Sequence, residues 1–107
     1  MDPSALQEKA GQASRLLKSL ANERRLLIMC YLSQGEKSVG ELEPMVGLSQ
    51  SALSQHLARL RREHLVKTRR DAQTIFYSIS SEESQAVLGT LYDIYCADAD
   101  PARSAGD

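Results

Sequence analysis

From Ser38 to Arg62 the chain reads SVGELEPMVGLSQSALSQHLARLRR. Ser38 followed three residues later by Glu41 is a capping box, and Val39, Leu42 and Met45 come after it at helical steps. Gly47 supplies the left-handed residue that stops a helix, so this one is only two or three turns long. Ser49 then caps a second helix in which Leu53, Leu57 and Leu60 fall at i, i+4 and i+7 and form one apolar stripe. The positions expected to be exposed are Gln50, Ser51, Ser54, Gln55, His56, Ala58, Arg59 and Arg62, a face suited to water or to a polar partner. A short helix, a tight turn and a helix with a free polar face make a helix-turn-helix.

The pattern extends in both directions. Upstream, Leu6, Ala10, Ala13, Leu16, Leu17 and Leu20 recur at three- and four-residue steps, and Ser4 with Gln7 forms a capping box for a first helix running from Ser4 to Leu20. Asn22 caps a second helix through Leu26, Leu27, Ile28, Cys30, Tyr31 and Leu32, which closes at Gly35. It is apolar on more than one side and is therefore expected at the centre. Downstream of Arg62 the period changes to two. Leu65–Arg69 and Thr74–Ile79, separated by a polar turn over Arg70–Gln73, read as a β-hairpin. Ser80 with Glu83 caps a last helix that carries Val87, Leu88, Leu91, Ile94 and Tyr95 toward Cys96. Ala97–Asp107 reads as a tail that frays from about residue 98. The expected fold is mostly α with a β-hairpin wing, a single winged helix-turn-helix domain over residues 1–107 in the order α-α-α-α-β-β-α.

The chain has 107 residues, 42% hydrophobic and 25% charged, which leaves room for one core and gives no sign of disorder. No apolar run approaches a bilayer span, and Met1-Asp2-Pro3-Ser4 lacks the layout of a signal peptide, so a cytoplasmic location is expected. The net charge of −1 conceals a strong asymmetry. Residues 49–70 hold Arg59, Arg61, Arg62, Lys67, Arg69 and Arg70 against Glu63 alone, whereas residues 71–107 are strongly acidic. One basic segment on a neutral chain is the footprint of a polyanion partner on one surface.

That surface has the chemistry for double-stranded DNA. Gln bonds bidentately to adenine, Ser reaches several base edges, and Arg pairs with guanine or phosphate. Gln50, Ser51, Ser54, Gln55, His56, Arg59 and Arg62 are the candidate contacts on the recognition helix. Ser38 and Ser49 lie at helix starts, where free N–H groups attract phosphate. In the hairpin, Lys67, Arg69, Arg70 and Gln73 are placed to reach an adjacent minor groove or the backbone. A polar helix face alone is what any solvated helix shows, and charges at a hairpin tip also protect an edge strand. It is the conjunction of short helix, polar helix and basic hairpin that points to DNA.

The stretch Leu48–Arg61, with Leu20–Ile28 and Ser38–Leu42 before it, strongly resembles the ArsR/SmtB family of bacterial winged-helix repressors over about residues 13–80. The resemblance implies a homodimer built through the first and last helices, a palindromic operator, and release of that operator when an inducer is sensed. Ser51, Ser54, Gln55 and His56 match the positions that contact DNA in that family. Metal sensors of the family carry a Cys-x-Cys pair on the third helix or His and Asp ligands on the last. Here the third helix has no cysteine, and Asp93 on the last has no histidine beside it. No metal site and no cofactor are expected.

Cys30 on the second helix and Cys96 at the end of the last stand 66 residues apart. Taken alone, each reads as a small buried hydrophobe. With the resemblance counted, the placement matches the thiol-switch branch of the family, which includes the biofilm growth-associated and sulfide-responsive repressors. It implies a dithiol sensor of persulfides and related reactive sulfur species, controlling sulfide-detoxification genes. Two other readings stay open: a general thiol-redox regulator responding to peroxide, and a winged-helix module for protein contact with inert cysteines. Without a Cys-x-x-Cys motif, a Ser/His/Asp constellation or a cofactor motif, no enzyme is expected.

Overall fold

Every helix begins at a side chain that accepts a hydrogen bond from its own first turn. In the computed structural model, which describes residues 2–96, these are Asp2 for α1 (Pro3–Leu20), Asn22 for α2 (Glu23–Leu32), Ser38 for α3 (Val39–Val46), Ser49 for α4 (Gln50–Arg62) and Ser81 for α5 (Glu82–Tyr95). The tail expected to fray lies outside the described residues. Two expected caps move. Pro3 has no N–H to satisfy and a φ suited to a helix start, so α1 begins there, capped by Asp2 rather than by Ser4. Ser80 is occupied elsewhere: its N–H donates to the Leu65 carbonyl and its hydroxyl to the His64 carbonyl, leaving Ser81 to cap α5.

The hairpin is present and is part of a larger sheet. Strands β1 (Lys37–Ser38), β2 (Val66–Asp71) and β3 (Thr74–Ile79) form an antiparallel sheet in the order β1-β3-β2. The two residues of β1 pair with Tyr77 and Phe76 of β3, a strand too short to show a period in sequence. The turn is tighter than expected. Asp71 pairs with Thr74, so only Ala72 and Gln73 lie between the strands, and Ala72 takes a left-handed φ of 57°.

The core gathers Leu20, Ile28, Met29, Leu32, Leu42, Val46, Leu53, Leu57, Leu60, Leu65, Val66, Ile79 and Leu88. The α4 stripe is fully buried, each leucine contributing roughly 1.5–3 kcal/mol. Helix α2 touches α1, α3, α4 and β3 and is central, as its two apolar sides required. Gly47 closes α3 at φ 75° and donates to the Glu43 carbonyl, which sets the tight turn into α4. Met45 stays outside the core. Helices α1 and α5 keep apolar residues that none of the described residues covers: Leu6 and Leu17 are each 55% exposed, Ile94 64% and Tyr95 78%.

Candidate nucleic-acid interface and dithiol pair

Because Leu53, Leu57 and Leu60 anchor one side of α4, the rotation of every other side chain follows. Gln50, Ser51, Ser54, Gln55, Ala58, Arg61 and Arg62 are exposed. Ser54, Ala58, Arg61 and Arg62 border an open cleft of 420 Å³ whose far wall is Tyr77 of β3. Arg61 was not among the expected contacts. Its seven-residue spacing from Ser54, which puts both on one helical stripe, was the available signal. Ser38 and Ser49 spend their hydroxyls on capping, accepting from the Glu41 and Ala52 N–H groups at 3.2 and 3.3 Å.

His56 and Arg59 lie on the flank of α4 rather than on its outer face, and both are half-buried. Burial, then the charges of Arg25 and Arg59, lower the His56 pKa below its ordinary value and favour the neutral ring. His56 is thus less exposed than Ser51, Ser54 and Gln55, the other candidate contacts with which it was grouped. Arg59 pairs with Glu63 at 3.5 Å. Glu63 also accepts from the buried Ser19 hydroxyl. Arg25, buried in α2, donates through Nε to the Ser19 carbonyl at 2.7 Å. Periodicity could not reveal this polar joint, because none of its members follows an apolar repeat.

In the wing, Lys67, Arg70 and Gln73 are exposed. Arg69 is engaged: its Nε and a terminal nitrogen donate to the two oxygens of Glu36 at 3.0 and 2.6 Å, with the guanidinium carbon 4.7 Å from the centre of the Phe76 ring. The same bonds hold the Glu36 carboxyl below the usual carboxylate range.

Cys30 and Cys96 are free thiols, and each residue is exposed within the single chain, so neither is the buried hydrophobe that composition alone suggested. Cys96 follows the last turn of α5, its N–H donating to the Tyr92 carbonyl at 2.8 Å. Partial burial raises the Cys30 pKa, and the neighbouring charge of Cys96 raises it further. Among the described residues no group of three or more His, Cys, Asp and Glu gathers to hold a metal ion, and no helix is long and apolar enough to cross a membrane.

Residues 22–68 match the description "Bacterial regulatory protein, arsR family". The chain is 52% identical over 96 residues to the transcriptional activator HlyU of Vibrio cholerae, a match covering 90% of this chain and 89% of that protein. A solved structure of reduced HlyU from the same organism superposes with a TM-score of 0.83 at 53% identity, covering 86% of this chain and 97% of that one. The crystal structure of the transcriptional repressor BigR from Xylella fastidiosa gives 0.82 at 39% identity, covering 91% and 99%. With its winged helix-turn-helix fold and these relatives along most of its length, the chain belongs to the arsR family of DNA-binding transcriptional regulators.

Proposed function

We propose that the protein is a homodimeric, cytoplasmic repressor that binds a palindromic operator and releases it when reactive sulfur species oxidise Cys30 and Cys96. The observation that carries this reading is a pair of free, exposed thiols, one on α2 and one at the end of α5, in a chain whose recognition helix keeps an exposed polar face; the charge of Cys96 is also among the causes that raise the Cys30 pKa. Ser51, Ser54 and Gln55 would read base edges, with Gln50, Arg61, Arg62, Arg70 and Gln73 on phosphates or the minor groove. The uncovered apolar residues of α1 and α5 support dimerisation through those helices.

The chemistry balances with a persulfide as oxidant. One cysteine thiolate attacks the sulfane sulfur of RSSH, forming a cysteine persulfide and releasing RSH. The second thiolate attacks the first cysteine's sulfur and expels hydrosulfide. In sum, two thiols and RSSH give a Cys30–Cys96 disulfide, RSH and H₂S. A second RSSH inserts one more sulfur, giving a trisulfide and a second RSH. A plain disulfide requires Cα atoms within about 7 Å, a limit that inserted sulfur relaxes. The bridge would fix α5 against α2 and change the angle between the recognition helices, whose half-sites lie about 34 Å apart.

Fluorescence anisotropy on a labelled palindromic duplex tests this. Reduced protein should bind as two protomers per site with strong salt dependence. An organic persulfide should release it, and Cys30→Ser should abolish that response. Release by hydrogen peroxide alone would favour the general redox reading, and no binding of duplex DNA in any state would favour the protein-contact module.

A further inference from the structure

Arg69 belongs to the basic cluster of the wing, yet the strand register turns it away from the recognition helix. Val66 and Ile79 pair and are both buried, so the face they share packs on the core. With side chains alternating, the pairs Thr68–Tyr77 and Arg70–Ile75 lie on that same face, and Tyr77 walls the cleft beside α4. Lys67, Arg69 and Asp71 occupy the opposite face. There Arg69 crosses Phe76 of β3 to grip Glu36, the residue just before β1, and Asp71 adds a second anion at 3.9 Å. One residue after Glu36 comes β1, whose Ser38 caps α3. A single side chain thus spans the sheet from β2 to the segment that leads into the helix-turn-helix. A planar guanidinium that pairs both carboxylate oxygens and stacks on a ring has a fixed orientation, which a flexible ammonium lacks.

We propose that Arg69 is a positioning residue, its clamp with Glu36 over Phe76 setting the wing's angle to α3 and α4, while Arg70 on the other face is the wing arginine that meets DNA. The proposal rests on the DNA-binding reading, and wild-type binding to the palindromic duplex tests that reading separately. Two carboxylates beside the guanidinium already balance its charge, so Arg69 has little counterion release to offer a phosphate.

The test measures operator affinity across a salt series for wild type, Arg69→Ala, Arg70→Ala, Glu36→Ala, Arg69→Glu and the swapped pair Glu36→Arg with Arg69→Glu, with circular dichroism as the folding control. Arg70→Ala should lower the magnitude of the log–log salt slope by about one, whereas Arg69→Ala should leave the slope unchanged. Arg69→Ala and Glu36→Ala should both weaken operator binding, by about fivefold. The direction for Glu36→Ala is decisive, since removing an anion and freeing a cation would, by charge alone, tighten binding. The swapped pair should recover most of the affinity lost in Arg69→Glu, and it settles the matter if the alanine variants fail to fold. A slope reduced by about one in Arg69→Ala, tighter binding in Glu36→Ala, or a swap no better than Arg69→Glu overturns the proposal.

Discussion

Ser19, at the buried end of α1, donates its hydroxyl to the carboxylate of Glu63, the residue that closes α4. Arg25 of α2 donates to the Ser19 carbonyl, and Glu63 pairs with Arg59. The ends of three helices therefore meet at one polar joint, in which α1 belongs to the uncovered apolar surface and α4 to the candidate DNA face.

Removing the joint should loosen the recognition helix against α1 without emptying the core. Ser19→Ala is expected to cost about 1 kcal/mol of stability, the net worth of one hydrogen bond. Operator affinity should fall while affinity for random-sequence duplex does not, because phosphate contacts survive a misplaced helix better than base contacts do. Parallel titrations on the two duplexes, with denaturant unfolding alongside, check both expectations.

Arg24 supplies a second tie. It donates to the Val46 carbonyl at 2.8 Å, one of the acceptors that the end of α3 leaves unsatisfied. Arg24→Ala should lower stability by about 0.5–1 kcal/mol, a fall in Tm of a few degrees. It should also weaken operator binding by loosening the turn at Gly47. Thermal unfolding and anisotropy on the same preparation read the two effects.

Much of this architecture was legible because it is written in local chemistry. Asn22, Ser38, Gly47 and Ser49 end or begin helices through groups within four residues of themselves, and Leu53, Leu57 and Leu60 mark a buried stripe by spacing alone. Tertiary contacts were not legible. β1 has only two residues, Glu36 and Arg69 are 33 residues apart, and Ser19 meets Glu63 across 44. The candidate DNA face was accordingly found as a set of residue types, and the register then divided it. Arg70 stays on the recognition side, Arg69 turns away, and His56 rotates onto the half-buried flank. The distance between Cys30 and Cys96 in sequence carried no geometric information; the fold leaves both thiols exposed, one on α2 and the other at the end of α5.

The turn of the wing holds an avoidable cost. Ala72 has a φ of 57°, a region that disfavours a side chain with a Cβ and that glycine adopts freely. Ala72→Gly should stabilise the fold by about 0.5–1 kcal/mol, after allowing for the greater freedom of glycine in the unfolded chain. A rise in Tm with unchanged operator affinity is the expected outcome.

Cys30 should titrate above an ordinary thiol, because burial first and Cys96 second disfavour its thiolate. Its alkylation rate should therefore keep rising at pH values where an exposed thiol has levelled off. Cys96→Ser removes the like charge and should move the midpoint down, although not to the ordinary value, since burial is the larger cause. The linkage has a definite sign. The raised pKa favours the neutral thiol in the fold, so its contribution is complete below the unfolded thiol pKa and is lost as pH rises through the folded one. Rate–pH profiles of wild type and Cys96→Ser, with Cys30 followed by peptide mass, check the order.

A bridge between Cys30 and Cys96 and possession of DNA should exclude one another. Protein partly oxidised with an organic persulfide is mixed with operator duplex, DNA-bound and free fractions are separated, and each is digested without reductant for mass spectrometry. Peptides linked through Cys30 and Cys96, by two sulfurs or more, are expected in the free fraction only. The same linked peptides at equal abundance in the DNA-bound fraction would contradict this exclusion.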